Sequence, residues 1–148
     1  MVSLRHFNYG DAVILQQSQN IDMPIEKIQG MICDWNKLEF QGKYFEMFAI
    51  INDNKIVGMI SLYQHSDNVI SIGPEIFSAF QRQGFGKEAM CIALDIAKSR
   101  GYKIVAQQVQ SDNDPSIALH KSLGFETDRY GYINRKGKDV FLFLKALL

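Results

Sequence analysis

The run from Ile76 to Ala89, IFSAFQRQGFGKEA, holds the residues whose types and spacing best suit chemistry. It reads as a strand entering a glycine-containing turn that opens directly into a helix. The first N–H groups of a helix have no intrahelical partner and lie at the positive end of its dipole. Gly84 and Gly86 let a ligand approach the backbone closely, and Arg82 and Lys87 add positive charge beside them. Together these features make an anion site suited to a phosphate or pyrophosphate. The same glycines suit a tight strand-to-helix turn that binds nothing, and the residues alone leave both readings open. The run lacks the GK[ST] of a Walker loop and the GxGxxG spacing of a dinucleotide fold.

Other reactive side chains are more isolated. Glu75, at the end of the strand before the turn, and Glu46, on an earlier strand, are carboxylates able to take a proton, although a solvated or hydrogen-bonded surface carboxylate is the simpler explanation of each. His65 and Asp67 read as loop residues, and His6 is uninformative. Tyr130, Tyr132, Phe40, Tyr44 and Phe45 read as core or rim, with some free to line an apolar acceptor pocket. Cys33 and Cys91 form no CxxC or Cys/His pattern, so no metal is expected; they read as two buried free thiols in a reducing compartment.

The elements that must position these groups follow from periodicity. Val2–Phe7 suits an edge strand. Asp11 precedes a short helix as a candidate N-cap, and Pro24–Lys37 fits a second helix with Ile25, Ile28, Ile32 and Trp35 on one face. Tyr44–Asn52 and Lys55–Tyr63 read as a hairpin around Asp53-Asn54. Val69–Phe77 is a third strand of this group. Gly84–Arg100 is helical, with Ala89, Met90, Ala93, Leu94 and Ala97 on one face and Gly101 as its stop. Lys103–Gln110 is a strand, and Pro115–Leu123 a short helix capped by Asn113 or Asp114 and ended by Gly124. Two last strands fit around Phe125–Tyr132 and Asp139–Lys145, joined through Arg135-Lys136-Gly137. This order predicts an α/β or α+β sheet with helices packed on it.

The chain has 148 residues, 47% apolar and 22% charged, which fits one domain, 1–148, with a core of its own. Sixteen basic residues balance sixteen acidic ones, which argues against nucleic-acid binding by bulk charge. No stretch is long and apolar enough for a membrane span, and Met1–Gln16 has no apolar run like a signal peptide's. No nucleic-acid or membrane partner and a cytoplasmic location are therefore expected.

Two blocks resemble a known family. Gln81-x-x-Gly84-x-Gly86 is similar to the acyl-CoA-binding signature [RQ]-x-x-G-x-[GA] of the GNAT superfamily of N-acyltransferases. Asn113-Asp114-Pro115-Ser116-Ile117-Ala118-Leu119-His120-Lys121-Ser122-Leu123-Gly124-Phe125 resembles its later motif: Asn, a small residue three on, Leu-Tyr, then Gly-Phe. The firm match covers Val69–Phe125. The resemblance implies a mixed, mainly antiparallel sheet of six or seven strands with about four helices. It implies direct transfer of an acetyl group from acetyl-CoA to a primary amine of a small molecule or a protein.

It also implies roles for residues. Backbone groups of Ile76, Phe77 and Ser78 would pair with the pantetheine arm, where one strand splays from the next. N–H groups of Arg82, Gln83, Gly84, Phe85, Gly86 and Lys87 would hold the pyrophosphate, with Gln81 opening the motif. Asn113 and Ser116 would contact the pantetheine region or fix the loop before the helix. His120 stands where many members carry a tyrosine that protonates the leaving thiolate; a filler histidine on a surface helix is the alternative. The resemblance does not fix the base: Glu75, by its place at the strand end just before the splay, is the candidate, with Glu46 on the hairpin as another. Bacterial enzymes that acetylate ribosomal-protein N-termini carry a glutamate on the fifth strand, where this chain has Gln108, which cannot act as a base. A domain that holds acyl-CoA without transferring the acyl group is the rival reading. The acceptor and the oligomeric state, a homodimer included, are left open.

Overall fold

The computed structural model describes residues 1–19 and 21–148. The elements in chain order are β1 (Ser3–Arg5), α1 (Ala12–Ser18), α2 (Ile25–Trp35), β2 (Glu39–Phe40), β3 (Lys43–Asn52), β4 (Lys55–Gln64), β5 (Val69–Ile76), α3 (Phe85–Ser99), β6 (Ile104–Gln110), α4 (Asp114–Ser122), β7 (Tyr132–Ile133) and β8 (Asp139–Ala146). The strands form one eight-stranded sheet in the order β1-β3-β4-β5-β6-β8-β7, with β2 added to the start of β3. Every pairing is antiparallel except β5 with β6. The mixed, mainly antiparallel α/β sheet with four helices is as expected; β2 is the additional strand.

The hairpin from β3 to β4 turns on Asp53 and Asn54, both left-handed at φ +49° and +62°. That geometry matches the twist of the two strands, and Asp and Asn adopt it more readily than most residues. Around β3 and β4 the sheet buries both faces. On one, Ala89, Ala93 and Ala97 of α3 are fully buried against Ile60, Leu62, Ile70 and Ile72. Small side chains on that stripe let the helix lie close to the strands. On the other face, Phe7, Leu15, Ile28 and Ile32 from the α1–α2 layer cover Ala49, Ile56 and Phe77.

Three local expectations are corrected. Cys33 and Cys91 are exposed, because the buried faces of α2 and α3 run through Ile32 and Met90, and the next residue points about 100° away. Asp11 stands at the start of α1 without capping it; its carboxylate pairs with Arg5 at 2.7 Å and accepts the N–H of Asn8. Phe125–Tyr132 is not a continuous strand. Glu126 makes one bridge to Leu144, after which Thr127 and Asp128 side chains accept the N–H groups of Arg129 and Tyr130. Those local bonds, with Arg129 at φ +61°, compete with the ladder until β7 begins.

β5 and β6 pair only at Val69↔Ile104 and Ile70↔Val105. Beyond that point they part. On its other side β5 stays in register with β4 as far as Ile76. Gly58 makes this possible: a Cβ there would sit 2.2 Å from the Glu75 carbonyl oxygen.

Candidate active site

The parting of β5 and β6 leaves backbone groups facing an opening rather than a neighbour. Phe77 donates its N–H to Val57 O at 2.9 Å, so Phe77 and the odd-numbered residues of β5 face β4. By strand alternation, Ile72, Pro74 and Ile76 face the opening. Pro74 has no N–H, and it stands where no ladder bond is lost. Ile76 therefore turns its N–H into the opening, while its carbonyl accepts from Gln81 Nε2 at 3.1 Å. That bond ties the first residue of the glycine motif back to the strand. Of the three residues expected to offer backbone groups here, Phe77 has its N–H engaged and its side chain buried. Ser78 begins a short 3-10 turn, Ser78–Phe80.

That turn delivers the chain to α3. Arg82 and Gly84 are left-handed at φ +66° and +83°, which swings the backbone into the helix. Phe85 anchors the first turn in the core. Among the described residues, the N–H groups of Arg82, Gln83, Gly84, Phe85, Gly86 and Lys87 find no acceptor; the first bonded one is Glu88, to Gly84 O. A Cβ at Gly86 would meet only Ile76 Cγ1, at 3.6 Å, so the glycine keeps the space in front of the N–H groups clear rather than relieving a clash. Six consecutive unpaired donors at the positive end of a 15-residue helix fit a pyrophosphate.

The far side of the opening is closed by β6 and α4. Asn113 caps α4 by accepting Ser116 N–H at 3.2 Å. His120, 4% exposed, lies one turn on. Its Nδ1 donates to Ser116 O at 2.7 Å, and Gln107 Nε2 stands 3.4 Å from its Nε2. Gln107, 6% exposed, also uses that amide to stitch β5: its Oε1 accepts Ile72 N–H at 2.8 Å and its Nε2 donates to Ile72 O at 2.5 Å. The Gln107 amide thus faces His120 with a proton, and His120 Nε2 presents a lone pair. Burial lowers the His120 pKa, and the bond to Ser116 O offsets this only in part. The ring sits neutral, edge-on to Phe125 at 5.0 Å.

Ser71 makes the second stitch across the parting. Its Oγ donates to Ala106 O at 2.5 Å, and so must accept from His65 Nε2 at 2.6 Å. The proton of neutral His65 is on Nε2, and Nδ1 carries a free lone pair. Burial and then the charge of Lys43 hold the His65 pKa below its ordinary value, so the ring is a base at neutral pH. His65 lies in the loop after β4, as its sequence suggests, yet its ring lines a cavity of about 640 Å³ together with Ser71, Gly73, Gln107 and His120. That volume suits a small molecule or the end of a peptide.

Glu75 is exposed on the face of β5 shared with Ser71 and Gly73. Glu46 is elsewhere. It is 2% exposed on the α3 side of the sheet, bonded to Tyr44, His6 and Arg100. Burial would raise its pKa, but those three donors hold it below the ordinary carboxylate range, and it is not free to act as a base. Gln107 is the site residue that pattern reading overlooked. The signal was available: Val105, Gln107 and Val109 alternate inward, and a glutamine in that register needs a partner.

Comparison with known proteins gives this geometry a context. The profile described as Acetyltransferase (GNAT) family matches residues 15–125. The SPbeta prophage-derived uncharacterized N-acetyltransferase YokL of Bacillus subtilis (strain 168) is 28% identical over 122 residues, 80% of this chain and 68% of that protein. Among solved structures, the ribosomal L7/L12 alpha-N-protein acetyltransferase RimL in complex with coenzyme A superposes with a TM-score of 0.84 at 17% identity, over 99% of this chain and 94% of that one. YncA, a putative acetyltransferase from Salmonella typhimurium with acetyl-CoA, gives 0.74 at 16% identity over 100% and 95%. A chimera of the spermidine N-acetyltransferase SpeG from Vibrio cholerae gives 0.78 at 15% identity over 98% and 96%.

Proposed function

This chain belongs to the acetyltransferase (GNAT) family, and from that premise we propose that residues 1–148 form one domain that moves an acetyl group from acetyl-CoA to a primary amine in the opening between β5 and β6. The observation that carries the reading is the adjacency of that opening to the six unpaired N–H groups at the start of α3. When bound, acetyl-CoA supplies an activated thioester. The N–H groups from Arg82 to Lys87 hold its pyrophosphate, with Arg82 and Lys87 adding charge. Ile76 N–H and Pro74 O face the arm as the edge of a strand would, and Ile76 N–H is placed to polarise the acyl oxygen. Asn113 and Ser116 line the α4 side.

The acceptor nitrogen attacks the acyl carbon, the C–S bond breaks, and the products are an amide and the CoA thiol. The proton lost by the amine needs a base on the acceptor face. His65, in the cavity wall, offers the Nδ1 lone pair left by its bond to Ser71, and Glu75 offers an exposed carboxylate on the same face of β5, outside the residues that line the cavity. The thiolate regains a proton from His120 or from water. With Nε2 accepting from Gln107, His120 donates only after taking up a second proton, which burial opposes. Most of the rate then comes from holding two reactants together. Neighbours of the same fold are named for acting on a protein N-terminus and on spermidine. Free cysteines suit a reducing compartment, and the cytoplasm is the location we propose. No helix among the described residues is long and apolar enough to cross a membrane.

Steady-state acetyl-CoA kinetics test the proton assignments. Removal of the true base should lower kcat by about 10²-fold or more, with acetyl-CoA affinity nearly unchanged. Glu75→Gln and His65→Gln each isolate one base. His120→Ala with unchanged kcat assigns thiolate protonation to water.

A further inference from the structure

We propose that the acceptor is a primary amine whose own molecule carries an anionic group, carboxylate or phosphate, and that the turn between β7 and β8 receives that anion. The proposal rests on the acetyl-transfer reading above and names the acceptor class for it.

The cavity at the parting of β5 and β6 does not end there. Through Tyr63, His65 and Gln108 it continues into a groove of about 910 Å³. The far wall of that groove carries Arg135, Lys136 and Lys138. The turn that bears them folds back over the sheet, where Asn134 Nδ2 donates to Gln108 Oε1 at 3.0 Å. Asn134 Oδ1 accepts the N–H groups of Lys136 and Lys138, both at 3.0 Å. A single asparagine thus defines the shape of the turn and anchors it to β6, so the three cations sit on a built wall rather than a loose loop.

No carboxylate among the described residues pairs with them. Among the described residues, no carboxylate lines the groove or the cavity. Asp139, the nearest acid in sequence, is turned to Ser111 Oγ at 2.9 Å. Glu126 and Asp128 line a neighbouring hollow that meets the groove at Tyr132 and the cavity at Leu142, and they line neither of the two themselves. Behind His65, Lys43 donates to the His65 carbonyl at 2.8 Å and adds a fourth positive charge outside the groove's lining. Gln108 completes the pattern, since it places an amide where a carboxylate would repel an anion. A polycationic acceptor would meet like charges along this path, whereas an anion beside the reacting amine would meet unpaired cations.

Matched acceptors test this with the wild-type chain and acetyl-CoA. One pair is a short peptide with Asp at its second and third positions and its Asn-substituted twin. Another is 2-aminoethyl phosphate and 2-aminoethanol, and spermidine is the cationic arm. Exposed charge contacts are individually weak, so the three together should favour an anionic member over its neutral twin by about tenfold in kcat/KM. The phosphate pair and the peptide pair show which anion the turn receives. Raising the salt should shrink the preference, since exposed charges are screened. In an Arg135→Gln, Lys136→Gln, Lys138→Gln variant, confirmed as folded by an unchanged KM for acetyl-CoA, the ratio should fall to within about twofold. A wild-type preference for spermidine or the neutral twins, or a ratio that survives in the variant, overturns the acceptor assignment alone. A chain that neither binds CoA by calorimetry nor acetylates any arm overturns the acetyl-transfer reading beneath it.

Discussion

The two ends of α3 do opposite things with polar groups. At its start, six successive N–H groups from Arg82 to Lys87 meet no acceptor among the described residues. At its end, almost everything polar is paired. Arg100, the C-cap residue, donates from Nε to Tyr44 Oη at 2.9 Å and from its Nη2 to Glu46 at 2.7 Å. Tyr44 donates to the same carboxylate, and His6 Nε2 lies 2.5 Å from its other oxygen while the ring stacks on Phe48 at 5.2 Å. One end of a single helix is left open for a ligand and the other is closed upon the protein. An unpaired donor at a solvated helix start is tolerated because water satisfies it, and it remains available. A carboxylate that is 2% exposed is tolerated only when its partners are supplied by the fold.

Breaking the closed end should give the largest effect. Glu46→Ala leaves Tyr44, Arg100 and His6 without their shared acceptor and opens a void beneath them. A loss of about 2–4 kcal/mol of stability is expected, toward the lower part of the range for a buried pair because Arg100 and His6 are partly exposed. Denaturant unfolding measures it, and CoA affinity in the folded variant should be unchanged. A parallel loss of affinity would show that the two ends are not independent.

Breaking the open end should act on binding alone. Gly86→Val puts two methyl groups in front of the unpaired N–H groups while its Cβ finds only ordinary contact with Ile76. CoA affinity should fall by about tenfold or more, about 1.4 kcal/mol, by calorimetry. Stability should shift by about 1 kcal/mol or less, the propensity difference near a helix start. Arg82→Ala sharpens the same end by removing a charge but no backbone donor. About 1 kcal/mol or less of CoA binding should be lost. Complete loss would mean that a side chain, not the helix start, dominates the site.

Titration gives the smallest and most local effect, and it asks which end α4 resembles. His120 is held neutral by burial, with its pKa below the ordinary value. The unfolded chain takes up that proton near pH 6.5, so stability is full above that value and declines as pH falls toward the folded pKa. His120→Gln should flatten this decline in unfolding measured between about pH 7.5 and about pH 5.5. An unaltered decline would place His120 among the solvated groups, as at the open end of α3.

Local sequence is enough to set which elements form and where the run of unpaired backbone donors lies. Both properties are local. Apolar spacing marks α3 and β4, Asp53-Asn54 makes its hairpin turn, and a strand, two glycines and a helix in succession create unpaired donors wherever the rest of the chain goes. The family resemblance carried that stretch to acetyl-CoA. Tertiary structure decided everything that depends on who stands opposite. The two cysteines are exposed because the buried stripes of α2 and α3 pass one residue away. Glu46 is closed off because Arg100 arrives from 54 residues further along the chain. The protons of His65 and His120 are placed by Ser71, Ser116 and Gln107, partners that only the parting of β5 from β6 brings within reach. A side chain's type is written in one dimension, but its protonation and its availability are set by neighbours in three.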